Sequence, residues 1–296
     1  YEICACLVGS EMCIRDRGGD MYAASVTDPL GRPVKAAYGI VRSGGVKTAV
    51  MEMSAASGLP LLLPDELNPW ITSTYGTGEM ISDALNRGCR KFLVGIGGSA
   101  TNDAGTGMLS ALGVRFLDSS GQRLKGCGRD LESIARIDMS SLMPAARESE
   151  FIVACDVNTP FCGPDGAARV FAPQKGADPQ TAEALDLGMR SFAQVIAEQF
   201  QTDIVPLSGA GAAGGLGGAF KAFLNARLTA GIEMVLDAIA FDSLLEGASL
   251  VITGEGRIDA QTAAGKTAAG VLRHAARKGI PVIAIGGSVA MCRELK

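Results

Sequence analysis

The segment at residues 91–113 constrains the fold of this chain more than any other; it reads KFLVGIGGSATNDAGTGMLSALG. The apolar run at residues 92–96 favours a β-strand, and Gly97 and Gly98 interrupt it. Side chains with hydroxyl, amide or carboxylate groups follow at Ser99, Thr101, Asn102 and Asp103. Apolar residues then recur at helical spacing. This order predicts a strand, a glycine turn, a polar loop and the start of a helix.

Asp103 is the residue of this segment that an ordinary anion-binding turn does not explain. Backbone N–H groups at a glycine turn can approach an anion closely. A carboxylate beside a phosphate repels it, however, unless a cation or a hydroxyl substrate lies between them. The sequence leaves two interpretations of Asp103 open: it acts on a hydroxyl substrate or its metal, or it caps the following helix.

Composition narrows the class of protein. The 296 residues are 47% hydrophobic and only 5% aromatic, with 39 glycines, which favours an α/β fold with many tight turns. The net charge is −4 and the basic residues are dispersed, so we predict no nucleic-acid partner. No apolar run approaches the about 18 residues of a membrane span, and we predict no membrane partner. Eight cysteines without a CxxC pair and a single histidine favour reduced thiols in a cytoplasmic protein over a zinc site.

The amino-terminal part divides into two kinds of sequence. Residues 1–17 lack a clear period, and we predict that they are a leader foreign to the protein. Strands at 21–27 and 33–41 around a turn predict a β-hairpin. A further strand carries Glu52 within an apolar run, and glycine punctuation predicts a helix at 79–87.

A second polar cluster follows the apolar strand predicted at residues 151–155. Asp156 comes directly after this strand and Asn158 two residues later. Carboxyl ends of strands are where open α/β sheets bind ligands, although an Asx turn would also explain these residues. Beyond them, Lys175 is predicted in a loop, and the spacing of apolar residues predicts an amphipathic helix at 181–200.

Two segments resemble nucleotide-binding motifs only weakly. Residues 209–214 spell GxGxxG, but a proline interrupts the short apolar run before them, whereas a dinucleotide site needs a strand there. A dinucleotide-dependent oxidoreductase therefore remains only an alternative. Residues 260–267 resemble a relaxed P-loop, yet the preceding strand ends well before them.

Residues 251–267, VITGEGRIDAQTAAGKT, are better interpreted as one unit. We predict that the strand ends at the glycines on either side of Glu255, and that Asp259 and Gln261 follow in a turn. The carboxylates of Glu255 and Asp259 could hold Mg²⁺, which commonly keeps several waters and one or two protein carboxylates. Lys266 could balance phosphate charge, and an ordinary surface loop is the alternative.

Four segments together resemble the glycerate kinases of the bacterial type-2 family. They are VGIGGSATNDAGTGMLSALG, ACDVNTPFCGPDGAARVFAPQKGA, GAGAAGGLGGA and VITGEGRIDAQTAAGKT, in that family's order, and the likeness runs from about residue 18 to about residue 288. The resemblance implies a cytoplasmic enzyme that phosphorylates glycerate with ATP and Mg²⁺, with 2-phosphoglycerate the favoured product. It also implies a two-domain α/β fold unrelated to P-loop kinases.

The residue patterns and the resemblance together give a set of candidate site residues. The candidate catalytic residues are Asp103, Asp156 and Lys266, and the candidate metal ligands are Glu255 and Asp259. The candidates for binding substrate or nucleotide are Gly97, Gly98, Ser99, Thr101, Asn102, Asn158, Gly254, Gly256 and Gln261. The motifs leave open which of these contact glycerate and which contact ATP.

The chain also departs from the family pattern. It lacks the family's amino-terminal Asp-Ser-Phe-Lys turn and its Asp-Gly-Gly-Glu-Gly-Thr segment, and it stops soon after residue 287. We therefore expect a central α/β domain at residues 18–246 and an incomplete, Rossmann-like second domain at residues 247–296. A catalytically impaired chain that only binds nucleotide is the alternative function, and the oligomeric state stays open.

Overall fold

The computed structural model describes residues 18–258 and 267–290, which divide into two units between Leu228 and Thr229. The predicted leader at residues 1–17 lies outside the described residues. The predicted domain boundary between residues 246 and 247 falls inside the second unit and stays a prediction.

The strands, in chain order, are β1 (Asp20–Thr27), β2 (Pro33–Ser43), β3 (Val46–Glu52), β4 (Lys91–Gly95), β5 (Arg115–Leu117), β6 (Arg136–Asp138), β7 (Glu150–Ala154), β8 (Arg227–Thr229), β9 (Val251–Ile258) and β10 (Val282–Val289). A six-stranded sheet has the order β1-β2-β3-β4-β7-β8. Strands β5 and β6 form a small antiparallel pair, and β9 pairs with β10 in parallel.

The α-helices are α1 (Ser54–Ser57), α2 (Tyr75–Asn86), α3 (Thr106–Ala111), α4 (Pro144–Arg147), α5 (Ala167–Phe171), α6 (Pro179–Phe200), α7 (Ala212–Leu224), α8 (Gly231–Ala238), α9 (Phe241–Leu244) and α10 (Thr267–Arg277). Short 3-10 turns occur at Leu59–Leu61, Pro64–Glu66, Gly128–Ser133 and Pro173–Lys175. None of the described helices is long and apolar enough to cross a membrane.

The predicted hairpin is confirmed, because β1 and β2 pair antiparallel from Asp20 opposite Ile40 to Thr27 opposite Pro33. Its turn is fixed by Asp28, whose Oδ1 accepts hydrogen bonds from the backbone N–H groups of Leu30 at 2.9 Å and Arg32 at 2.8 Å. An aspartate that bonds to the backbone a few residues later is a common turn former.

The centre of the sheet is parallel, and one of its faces carries the core. Alternate residues of the three central strands are buried on this face: Ala49, Met51, Phe92, Val94, Phe151 and Val153. The rings of Phe92 and Phe151 stack with centroids 4.6 Å apart, and Phe220 of α7 packs on Phe151 at 5.8 Å. The other face is half-buried at Val50 and Leu93.

The amphipathic helix predicted at residues 181–200 is confirmed as α6. Its predicted inward residues, Leu185, Met189, Phe192 and Ile196, are all buried. They extend the same core, in which Phe192 lies edge-on to Phe116 of β5 at 5.8 Å.

The second unit is a smaller α/β arrangement with its own apolar cluster at Ile232, Leu236 and Val271. The prediction that the strand ends at the glycines around Glu255 is wrong, since β9 continues to Ile258. The reason is non-local: β10 supplies a parallel partner along this stretch, with Glu255 opposite Gly286 and Arg257 opposite Ser288.

Candidate active site

Three neighbouring parallel strands end side by side at one edge of the large sheet. Glu52 of β3, Gly95 of β4 and Ala154 of β7 are in register there. Carboxyl edges of parallel strands are the usual ligand sites of open α/β sheets. The loops that follow these strands therefore define the candidate site.

The loop after β4 is tied to the segment after β3 by backbone hydrogen bonds. Gly95 O accepts from Met53 N at 2.8 Å, Gly98 O from Leu59 N at 2.9 Å, and Ser57 O from Ala100 N at 3.0 Å. Gly98 has φ 70°, the left-handed conformation that glycine adopts without strain. The glycine turn is thus held in place, and Gly97 and Gly98 keep part of their surface exposed.

Asp103 is fully buried, and protein groups donate hydrogen bonds to both of its carboxylate oxygens. Its Oδ2 accepts from the N–H and the hydroxyl of Thr74, both at 2.7 Å, and from Gly107 N at 3.3 Å. Its Oδ1 accepts from Gly105 N at 3.1 Å. Thr74 precedes α2, and Gly105 precedes α3. One carboxylate therefore satisfies donors at the start of two helices.

The environment of Asp103 favours the capping interpretation. Burial raises the pKa of Asp103, and the hydrogen bonds from Thr74, Gly105 and Gly107 oppose that shift. Asp103 itself supplies the hydrogen-bond acceptor at these two helix starts, so they need no bound anion to satisfy these donors. A catalytic role for Asp103 stays a prediction.

Lys175 lies beneath the same loop and is only 1% exposed. Its Nζ donates to Ser99 Oγ at 2.7 Å and to Thr101 O at 2.6 Å. Burial lowers the pKa of Lys175 to about 7, and the charge of Asp103 acts in the opposite direction. Lys175 lies, as predicted, in the connection between two helices, where it ends a short 3-10 turn; nothing in the sequence indicated that its side chain is buried.

The predicted binding residues Thr101 and Asn102 have fully buried side chains. Asn102 Nδ2 contacts Met189 Sδ at 3.3 Å. Among the described residues, Thr101 Oγ1 and Asn102 Oδ1 have no hydrogen-bond partner. In this conformation the exposed part of the loop is its glycine turn, and roles for Thr101 and Asn102 in ligand binding stay predictions.

The glycine-rich segment at residues 209–218 packs directly on this loop. Ala104 N donates to Gly214 O at 2.9 Å, and a Cβ on Gly214 would lie 2.2 Å from Thr101 O. In the described structure no strand leads directly into the segment, as a dinucleotide site would require. Close backbone packing accounts for these glycines.

Asp156 and Asn158 lie in the loop after β7, at the same edge as the glycine turn. Both are exposed. Asn158 Oδ1 accepts a hydrogen bond from Ser208 Oγ at 2.8 Å, which links this loop to the glycine-rich segment. Both predicted residues are therefore brought to one edge with Gly97 and Gly98.

Glu52 is the site residue that the sequence predictions omitted. It ends β3 beside the glycine turn, and burial alone raises its pKa to about 7. No described residue forms a hydrogen bond or an ion pair with its carboxylate. The sequence did contain a signal, because burying an acidic side chain within an apolar strand is costly and is therefore unusual without a structural or functional role.

The remaining predicted residues belong to the second unit. Glu255 lies on β9, and its Oε1 accepts from Ala268 N at 2.8 Å, near the start of α10. Gly254 and Gly256 flank it on the strand. Asp259, Gln261 and Lys266 lie outside the described residues.

Comparison with known proteins decides the family. A model described as the Glycerate kinase family matches residues 9–295. The chain belongs to the glycerate kinase family. The match begins within the predicted leader, whose foreign origin stays a prediction.

Curated members of the glycerate kinase family are similar over most of the chain. Glycerate kinase of Halalkalibacterium halodurans is 48% identical over 93% of this chain and 72% of its own length. Glycerate kinase of Bacillus subtilis is 48% identical over 92% of this chain and 71% of its length. Glycerate 2-kinase of Escherichia coli is 45% identical over 94% of this chain and 72% of its length.

A solved glycerate kinase structure confirms the predicted fold. The crystal structure from Salmonella typhimurium LT2, provisionally assigned as glycerate kinase 2, superimposes with a TM-score of 0.87 at 44% identity. The match covers 95% of this chain and 76% of that one. The glycerate-kinase-like α/β architecture is thus shared.

Proposed function

We propose that this chain transfers the γ-phosphoryl group of ATP to a hydroxyl of glycerate, with Mg²⁺, and that 2-phosphoglycerate is the product. One observation carries the proposal: in a member of the glycerate kinase family, the glycine turn lies between the ends of β3 and β7 at the carboxyl edge of the sheet. The likeness to a protein named glycerate 2-kinase supports the 2-phosphate.

Each group at this edge has a role in the proposal. Phosphoryl transfer depends mainly on positioning and on neutralising charge. Gly97 and Gly98 would present backbone N–H groups to an anionic group of substrate or nucleotide. Asp156 and Asn158 would contact the substrate from the neighbouring loop. Asp103 and Lys175 would hold the glycine turn rigid from within.

The predicted metal ligands, Glu255 and Asp259, are carboxylates, the type of side chain that binds Mg²⁺. Mg²⁺ prefers oxygen ligands and often takes only one or two protein carboxylates together with phosphate oxygens. The described residues contain no group of three or more metal-ligating side chains, so Glu255, with Asp259 as predicted, would hold the ion jointly with nucleotide phosphates. When bound, Mg²⁺ neutralises charge on the transferring phosphoryl group.

The direct test is turnover followed by NMR. The chain is incubated with ATP, MgCl₂ and D-glycerate, and ³¹P spectra distinguish 2-phosphoglycerate from 3-phosphoglycerate while ADP accumulates. We expect one molecule of 2-phosphoglycerate for each ADP. ADP formation without glycerate, or 3-phosphoglycerate alone, would contradict the proposal.

The impaired-chain alternative gives a different result in the same experiment. A chain that only binds nucleotide would show ATP-dependent thermal protection but no phosphoglycerate. A dinucleotide-dependent oxidoreductase would change NADH fluorescence on mixing, and the close packing of residues 209–218 argues against it.

A further inference from the structure

Glu52 is the last residue of β3 and is the one ionisable residue among the three that end the neighbouring parallel strands β3, β4 and β7. Its register neighbour is Gly95, and the neighbour of Gly95 is Ala154. Partners in a parallel register share a face of the sheet. The two residues beside Glu52 on that face therefore have no side chain or a single methyl group, so neither can form a hydrogen bond or an ion pair with its carboxylate through a side chain.

The carboxylate of Glu52 is also chemically uncommitted. It is half-buried, and no described residue donates a hydrogen bond to it. Most buried carboxylates are paired with a donor, because burying an unpaired charge is costly. The burial raises its pKa to about 7, which suits proton transfer near neutral pH.

The other two carboxylates at this edge differ from Glu52. Asp103 has no exposed surface, and five hydrogen bonds from protein groups reach its carboxylate oxygens. Asp156 is exposed. Glu52 is the one of the three that combines partial burial with access from the edge.

We propose that Glu52 is the general base that takes the proton of the acceptor hydroxyl of glycerate, an inference that rests on the proposed function. The hydroxyl oxygen forms a bond to the γ-phosphorus of ATP as the bond from that phosphorus to the β–γ bridging oxygen breaks. ADP leaves with the bridging oxygen. The hydroxyl proton passes to the Glu52 carboxylate, which afterwards releases it to water.

Glu52→Gln tests the proposal, with Glu150→Gln as the matched control. Glu150 lies at the amino end of β7, on the opposite edge of the same sheet, where it pairs with Lys91 at 3.3 Å. We expect Glu52→Gln to lower kcat by roughly 10²–10⁴-fold, the usual contribution of general-base catalysis. Wild-type kcat should fall below about pH 7, where the base is protonated, and this acidic limb should be absent from the variant.

A folding defect and a failed function give separable outcomes. Glu52→Gln should melt no lower than wild type at pH 8, because it removes a half-buried charge that has no described partner. Glu52→Asp should keep the acidic limb with reduced kcat. If wild type forms phosphoglycerate and Glu52→Gln keeps both kcat and the limb, the base is another group. If wild type forms none, the proposed function itself fails.

Discussion

At the scale of single residues, the loop after β4 is organised by two buried ionisable side chains, one acidic and one basic. Asp103 accepts from the starts of α2 and α3, and Lys175 donates to Ser99 and Thr101. Each charge is hydrogen-bonded, which limits the cost of burying it. Their loss should therefore be felt as lost stability as well as lost turnover.

Asp103→Asn should lower the free energy of unfolding by about 1–3 kcal/mol, measured by urea denaturation. The side-chain amide would turn N–H groups toward backbone donors that now find an acceptor. Asp118→Asn, at an exposed turn, is the control and should cost less. Full stability with kcat reduced by about 10²–10⁴-fold would instead support the catalytic role of Asp103.

Lys175→Met should cost about 1–3 kcal/mol, because Ser99 Oγ and Thr101 O lose a buried donor. The folded chain releases the lysine proton near pH 7, whereas the unfolded chain holds it to about pH 10.5. Between these values the unfolded state binds more protons than the folded state. The free energy of unfolding therefore rises with pH over this range, as the penalty for burying a charged lysine disappears. Denaturation at pH 7 and 9 should show this rise in wild type and in the exposed control Lys125→Met. Equal pH dependence in Lys175→Met would refute it.

At the scale of elements, the glycine-rich start of α7 is a packing device. Ala213, Gly214 and Gly215 have positive φ values of 54°, 68° and 91°. The sequence shows these glycines but not what they contact, because the loop against which they pack lies about a hundred residues earlier. A motif based on spelling alone could not distinguish backbone packing from phosphate binding.

Gly214→Ala should destabilise the chain more than Gly121→Ala. Both positions have positive φ, 68° and 82°, but a Cβ at Gly121 meets nothing within 4 Å. The control therefore reports the backbone strain alone, about 1–2 kcal/mol. The additional loss of unfolding free energy in Gly214→Ala measures the clash with Thr101. Equal losses in the two variants, measured by thermal or urea unfolding, would show that the loop can move aside at no energetic cost.

In the second unit, His274 joins three helices through its ring. It is 4% exposed, and its Nδ1 lies 2.7 Å from Asp242 Oδ1 on α9 while Nε2 lies 2.9 Å from Glu233 Oε2 on α8. Glu233, then Asp242, raise the pKa of His274. Arg273 also bonds to Glu233, and Lys278 to the carbonyl of Asp242.

This arrangement predicts pH-dependent protection of α10. The folded pKa is raised, so the stabilisation is complete below about pH 6.5, the unfolded value, and is lost as the pH rises through the folded pKa. Hydrogen exchange of residues 267–277, corrected for intrinsic rates, should show less protection at pH 9 than at pH 6. The difference should shrink in His274→Gln and in 1 M NaCl. A pH response that survives the substitution must come from another group.

At the scale of the whole molecule, the features determined by neighbouring residues in the sequence were predicted. The features determined by contacts between distant segments were not. The hairpin at Asp28 and the inward face of α6 follow from nearby residues. The extension of β9 depends on β10, and the burial of Lys175 depends on a loop 76 residues away. Local residue patterns pointed to the loops after β4 and β7, whereas the position of Glu52 beside them became visible only from the register of three strands.

Mg-ATP should protect the whole chain against thermal unfolding, and Glu255→Gln with Asp259→Asn should abolish the Mg-dependent part. Ligand at about 100 times its Kd stabilises by roughly 2.7 kcal/mol. A glutamine at position 255 can still accept from Ala268 N, so the cap is kept while the charge is lost. Removing Mg²⁺ with EDTA should reproduce the effect in wild type, and Glu148→Gln is the exposed control. A full shift in the double variant would place the metal elsewhere, with Asp156 as the next ligand to test.

The small residues beside Glu52 have a consequence for changing the acceptor. Under the proposed role of Glu52, trimming these strands cannot create room for bulkier hydroxy acids, because Gly95 has no side chain to remove and Ala154 only one methyl group. A broader acceptor range would have to come from the loop at Asp156 and Asn158. Under the same proposal, a larger side chain at position 154 would narrow the acceptor range, because it would lie on the face of the sheet that carries Glu52.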